Sequence, residues 1–220
     1  MAAKKKPTVT AEQIVSLYTD FVLKHGKKPN SVYSFMSEAG FSEADFYLHY
    51  ASFDAIESAY FSELFAHSFN LIQKSDDFAQ YDAAQKLSSF YFTFIEMATA
   101  NRSMVLYLLQ SSKNTLSNLE KLKPLRRDFL NMLKQILQAP MQTQSARFNE
   151  MQAKLVHEGG WIQLMSILKF WMDDTSAGFE KTDVFIEKSV QAAFDLVYNS
   201  PMQSVVDLGK FLWKEKMTQH

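Results

Sequence analysis

Apolar residues recur at helical spacing almost from the start of the chain. Ile14, Leu17, Tyr18, Phe21 and Val22 form one stripe, and Thr10 with Gln13 three positions on makes a capping box ahead of it, so a first helix is expected to end before Gly26. Pro29 and Asn30 make a loop. Val32, Phe35 and Met36 then mark a short helix that Ala39-Gly40 breaks. Ser42 opens a second short helix carrying Phe46, Tyr47 and Tyr50, with Glu43 and Asp45 in its first turn, where carboxylates favour the helix dipole. Two short helices joined through a glycine form the helix-turn-helix pattern, and only glycine takes a positive φ there without a Cβ clash. Ser52 caps a long fourth helix, with Ile56, Ala59, Tyr60, Leu64 and Leu71 expected on one face.

From about Phe78 onward, helix succeeds helix with short polar joints, which predicts an all-helical bundle. Leu87 to Ala100 and Met104 to Gln110 are apolar nearly all round, as in helices buried on most sides. Asn114 to Leu137 is amphipathic, and Pro124 inside it should kink or restart the helix. Ala139 to Ser145 reads as a polar joint, and Gly159-Gly160 is expected to interrupt the helical pattern beyond it. Asp173-Asp174 reads as a pair of helix-ending, loop-capping carboxylates. The last two helices are placed at Asp183 to Tyr198 and at Pro201 to about Lys216, the latter with Ser200 as cap and Pro201 at its first position. The fold class is therefore all-α, a three-helix head on a helical bundle.

Composition agrees with that pattern. In 220 residues there are only six glycines and five prolines, and 47% hydrophobic with 14% aromatic residues is enough to build a core. A net charge of -1 draws the chain as a whole to neither nucleic acid nor anionic membrane. The absence of cysteine excludes disulfides, thiolate nucleophiles and thiolate metal sites. Lys4-Lys5-Lys6 has no apolar segment behind it, so residues 1 to 9 read as a basic arm or a solvated tail rather than a signal peptide. No segment is long and apolar enough to span a bilayer, and a cytoplasmic protein is the expectation. The five histidines stand at no metal-ligand spacing, and there is no phosphate loop or nucleophile elbow. An enzyme is the least favoured class, and nothing calls for a cofactor.

Gly40-Phe41-Ser42, Tyr47, His49-Tyr50 and Ser52 together resemble the end of the head domain in the TetR family of one-component repressors. The resemblance implies a DNA-binding-like domain over residues 1–52 and a ligand-binding and dimerisation domain over 53–220. It implies DNA contacts from Ser42, Glu43, Asp45 and Tyr47, with Tyr47 and His49 on the backbone and Lys27 and Lys28 flanking. It also implies a homodimer through the last two helices and a hydrophobic small molecule or lipid in the C-terminal domain. Phe90, Tyr91, Phe94, Met97, Leu106, Trp161, Met165 and Leu168 would line its cavity, or would fill a solid core.

Two features pull the other way. Between Asn30 and Gln73 there is no Lys or Arg, and Phe53 and Tyr33 stand where the family often has cations, so the phosphate-neutralising term that dominates DNA affinity is weak. Trp161 to Val190 (WIQLMSILKFWMDDTSAGFEKTDVFIEKSV) resembles the C-terminal region of the TetR-fold lipid-binding proteins of ubiquinone biosynthesis. That likeness implies a DNA-independent carrier of a quinone or acyl chain.

Overall fold

The computed structural model describes residues 9–110, 120–137 and 146–198, and among them every regular element is helical. The elements are α1 (Ala11–His25), α2 (Val32–Glu38), α3 (Glu43–Tyr47), α4 (Phe53–Gln73), α5 (Ala83–Ala100), α6 (Arg102–Gln110), α7 (Lys123–Ile136), α8 (Ala146–Asp173), a 3-10 turn (Ala177–Phe179) and α9 (Glu180–Tyr198). The chain divides into two compact units. One comprises Met1–Asp76 with Thr93–Met132, the other Asp77–Phe92 with Leu133–His220. The basic arm before Val9, the polar joint at 139–145 and the final helix expected after Pro201 lie outside the described residues.

In the first unit the helix starts are fixed by local hydrogen bonds. Thr10 and Gln13 cap α1 reciprocally, backbone to side chain, at 3.0 and 3.2 Å. Gly26 ends α1 at φ +66°, its amide donating to the Val22 carbonyl at 2.8 Å. Ser31, Ser42 and Ser52 cap α2, α3 and α4 through their hydroxyls. Between α2 and α3 the chain turns at Gly40, φ +80°, and the Phe41 amide closes the elbow on the Met36 carbonyl at 2.9 Å.

A Cβ added at Gly40 would meet nothing within 4 Å, so the cost of a substitution there is backbone strain alone. Gly40→Ala is expected to destabilise the protein by about 1–2 kcal/mol. Gly40→Asn, which tolerates the left-handed region, should recover part of that loss in a comparison of melting temperatures.

The core of the head is aromatic. Ile14, Tyr18 and Val22 of α1, Phe35 and Met36 of α2, Phe46 of α3 and Ile56 of α4 are all buried. The Phe53 ring stacks on Tyr18 at 5.3 Å and meets Phe35 and Phe46 edge-on at 5.5 and 5.4 Å. Phe53 therefore knits the three helices of the head to α4, which gives a packing reason for an aromatic at that position. On α4 itself the buried face differs from the expected one. Glu57, Phe61, Leu64, Phe65, Ser68 and Ile72 face inward with Ile56, whereas Leu71 is exposed and Ala59 and Tyr60 are half-buried. The helix is apolar on so many sides that its sequence does not single out a face.

In the second unit, α8 runs unbroken through Gly159-Gly160, contrary to the interruption expected from the pair. The reason is a close approach: a Cβ on Gly160 would lie 2.5 Å from Leu133 Cδ1, so glycine lets α7's end and α8 meet. The restart expected at Pro124 is seen, since α7 begins at Lys123 with proline in its first turn.

The turn from α8 to α9 is organised by the buried Asp174. Its Oδ1 accepts from the Ser176 amide and hydroxyl at 2.8 and 2.7 Å, and its Oδ2 from the Thr182 amide and hydroxyl at 2.9 and 2.7 Å. Burial works to raise its pKa, but these bonds outweigh that and bring it down to about 2. A carboxyl held below its ordinary 3.8 stabilises the fold above that pH and loses its contribution as pH falls toward about 2. The Thr182 amide resonance is expected to hold its native position until pH approaches about 2, where the folded-state carboxyl takes up its proton, and Asp174→Asn should remove that acid dependence. Nearby, Trp171, Ile167 and Leu164 of α8 and Ile186 of α9 are buried, and Phe170 stacks flat on Phe185 at 4.6 Å.

Candidate functional site

The head carries the residues expected to touch DNA, and their side chains have different engagements. Asp45 is committed to its own helix. Its Oδ2 accepts from the Ser42 amide at 2.9 Å and from the Ser42 hydroxyl at 2.6 Å, so it serves as the reciprocal half of the α3 cap. Tyr47 projects from α3, 54% exposed, with its hydroxyl 3.4 Å from Glu43 Oε1. The exposed His49 has its Nε2 3.0 Å from the Val9 carbonyl oxygen, which makes that nitrogen the protonated donor and ties the chain before α1 to the α3–α4 junction. Ser42, Glu43, Asp45 and Tyr47 thus share the short helix α3, with His49 two residues beyond Tyr47. Lys27 is exposed in the α1–α2 loop.

Lys28 is turned inward. Its ammonium bonds to Asp54 and lies 3.1 Å from Oε2 of Glu57, a side chain with no solvent exposure. The same Oε2 is 2.8 Å from Nζ of the buried Lys121, and Glu57 Oε1 accepts from the Tyr18 hydroxyl at 2.6 Å. Glu57 Oε2 has ion-pair distances to both lysines but no well-directed hydrogen bond, so its contacts are chiefly electrostatic. Burial by itself would lower the Lys28 pKa; the Asp54 bond and the Glu57 charge overcome it and raise the value. Burial, then the bond to Glu57, push the Tyr18 phenol far above its ordinary range.

This cluster joins α1, the α1–α2 loop, α4 and the residues just before α7. Sequence reasoning missed Glu57, Lys121 and Tyr18 as a group. One signal was present: Glu57 falls in the same helical stripe as Phe61, Leu64 and Ser68, and a carboxylate on an apolar stripe needs a buried cation.

The residues expected around a ligand fall in both units. Phe90, Tyr91 and Leu168 are buried in the second, where the Tyr91 hydroxyl donates to Gln163 Oε1 at 3.2 Å and burial raises its pKa. Trp161 and Met165 are half-buried and line an open groove of about 480 Å³ with Ile162, Phe170 and Phe185. In the first unit Phe94 is fully buried, and Met97 and Leu106 are half-buried. Among the described residues, no group of three or more His, Asp or Glu is placed to hold a metal ion, and no helix is long and apolar enough to cross a membrane.

A family model for the tetracyclin repressor-like C-terminal domain matches residues 86–212, more than half of the chain. The chain belongs to that family. No curated protein matches it. In this TetR-family chain the matched stretch contains every expected ligand residue from Phe90 to Leu168, while the head lies before it. The all-α architecture is that of a TetR-family regulator.

Proposed function

We propose that this TetR-family protein is a homodimeric one-component regulator whose head, residues 1–52, docks on DNA and whose remainder, 53–220, dimerises and takes an apolar ligand. The single observation that carries the reading is the head itself. A glycine elbow joins α2 to a capped α3 that holds Tyr47 out to solvent, ahead of a family-matched bundle. Tyr47, Ser42 and Glu43 would meet base edges and phosphates, with Lys27 and His49 on the backbone; Glu43 would accept from cytosine N4. Pairing of two copies through α9 and the segment after it is supported by the exposed Val184 and Leu196 on α9. A ligand that binds one spacing of the two heads better would shift the population toward it. The test is retention on a genomic DNA pool across a salt series: binding that weakens steeply with salt supports the reading, and no retention at low salt overturns it.

A second reading is favoured by a specific observation. The head's α2 and α3 and the adjoining α4 carry no Lys or Arg, Lys28 is engaged by carboxylates, and Phe53 is packed inward. On that reading the same fold carries a lipid or quinone without DNA, and Trp161 and Met165 in the apolar groove would contact it. Mass spectrometry of organic extracts of the native protein separates the two. A stoichiometric isoprenoid or acyl species in protein that ignores DNA favours the carrier.

A further inference from the structure

Two lysines share one buried carboxylate oxygen in the first unit, and they are not equivalent. Lys121 is 6% exposed in its side chain and has the Leu108 carbonyl 3.4 Å from Nζ. Lys28 is 36% exposed, sits beside the head's loop, and has Asp54 as a second, solvent-facing partner. The two ammonium groups repel each other across Glu57 Oε2, at 2.8 and 3.1 Å. Whatever fraction of the Glu57 charge Lys121 neutralises is lost to Lys28. Glu57 also receives the Tyr18 hydroxyl, so it is fixed in place while the lysines compete for it.

We propose that Lys121 meters how firmly Glu57 holds Lys28, so that how closely Lys121 is seated on Glu57 sets the positive charge the head offers an anion. With Lys121 seated, Lys28 is bound mainly by exposed Asp54, a weak hold. With Lys121 withdrawn, the buried Glu57 is left to Lys28 alone, and the ammonium is kept inside. Lys28 and Lys121 thus behave as positioning residues linked through a third side chain. The consequence for DNA rests on the regulator reading above; the exchange of charge between the lysines does not.

Amine acetylation of the full-length protein, read residue by residue by mass spectrometry, tests this with Lys24 and Lys27 as internal standards. Lys121→Met is expected to slow Lys28 modification by roughly threefold or more, Glu57→Gln to speed it by a similar factor, and Lys121→Arg to leave it unchanged. An unaltered Lys28 rate in a folded Lys121→Met protein overturns the proposal. If that variant does not fold, Lys121→Gln, which removes the charge and keeps a polar tip, takes its place: slower Lys28 modification supports the metering, and the wild-type rate overturns it. On the same variants, DNA retention should fall for Lys121→Met and rise for Glu57→Gln. If no protein, wild type included, is retained while the acetylation pattern holds, the DNA reading fails and the metering stands.

Discussion

Glu57→Ala is expected to destabilise the protein by about 3–5 kcal/mol, the range for breaking one side of a buried ion pair. Truncation removes both the 2.6 Å bond from Tyr18 and the 2.8 Å ion pair of Lys121, a residue only 5% exposed. Lys28 suffers less because it keeps Asp54 and reaches solvent. Lys28→Met should therefore lose only about 1 kcal/mol, as for a partly exposed pair. Glu57→Gln keeps the shape and an acceptor for Tyr18, and its loss should fall between those two. Replacing Glu57 by Leu and Lys121 by Met together removes both charges and is expected to be far milder than Glu57→Ala, since burial of the pair is costly in the first place. Urea denaturation monitored by circular dichroism gives all four midpoints. Equal losses for Glu57→Ala and Lys28→Met would show that Lys121 does not depend on Glu57.

The features legible in the sequence are those that depend on a residue's own backbone or on partners within a few positions along the chain. Thr10 with Gln13, Ser42 with Asp45, and Ser52 with the Ala55 amide each close a cap within one turn, so a local reading finds them. Gly26 and Gly40 end helices through their own backbone freedom, and Asp174 organises its turn with residues two and eight positions on. The features hidden in the sequence depend on distant partners. Lys28 looks like a free cation until the chain brings Asp54, Glu57 and Lys121 around it. The burial of Phe90, Tyr91 and Phe94 is expected from their all-round apolar helix, but the same pattern fits a packed core and a cavity wall alike. Only packing separates the two, and in the second unit Trp161 and Met165 line a groove at the surface. The glycine pair in α8 is the clearest case. Glycine reads as a helix breaker by propensity, yet one of the two is there for a neighbour that sequence distance conceals.

Gly160→Leu is accordingly expected to destabilise the protein by about 3 kcal/mol, at the upper end of the usual cost of overpacking. The first added carbon would stand 2.5 Å from Leu133 Cδ1, and Leu133 is only 1% exposed, so its side chain has little room to swing away. The clash would press on the contact where the Gly160 carbonyl lies 3.5 Å from the Tyr91 hydroxyl. Gly160→Ala adds the same carbon but gains about 1 kcal/mol of helix propensity, so its net loss should be smaller. Gly159, one residue earlier in the same helix, has nothing within 4 Å of its virtual Cβ. There Gly159→Ala should stabilise by about 0.5–1 kcal/mol, because only the propensity gain remains. Leu133→Ala should make Gly160→Leu more tolerable, and a double-mutant cycle would give a coupling of about 1 kcal/mol or more for residues in direct contact. Urea unfolding monitored by tryptophan fluorescence, with Trp213→Phe in every variant so that only Trp161 and Trp171 on α8 report, reads the effect at the site of the change. Opposite signs for the two adjacent glycines are the expected result; if both alanine variants stabilise the helix, the close approach of Leu133 is not what keeps glycine at position 160.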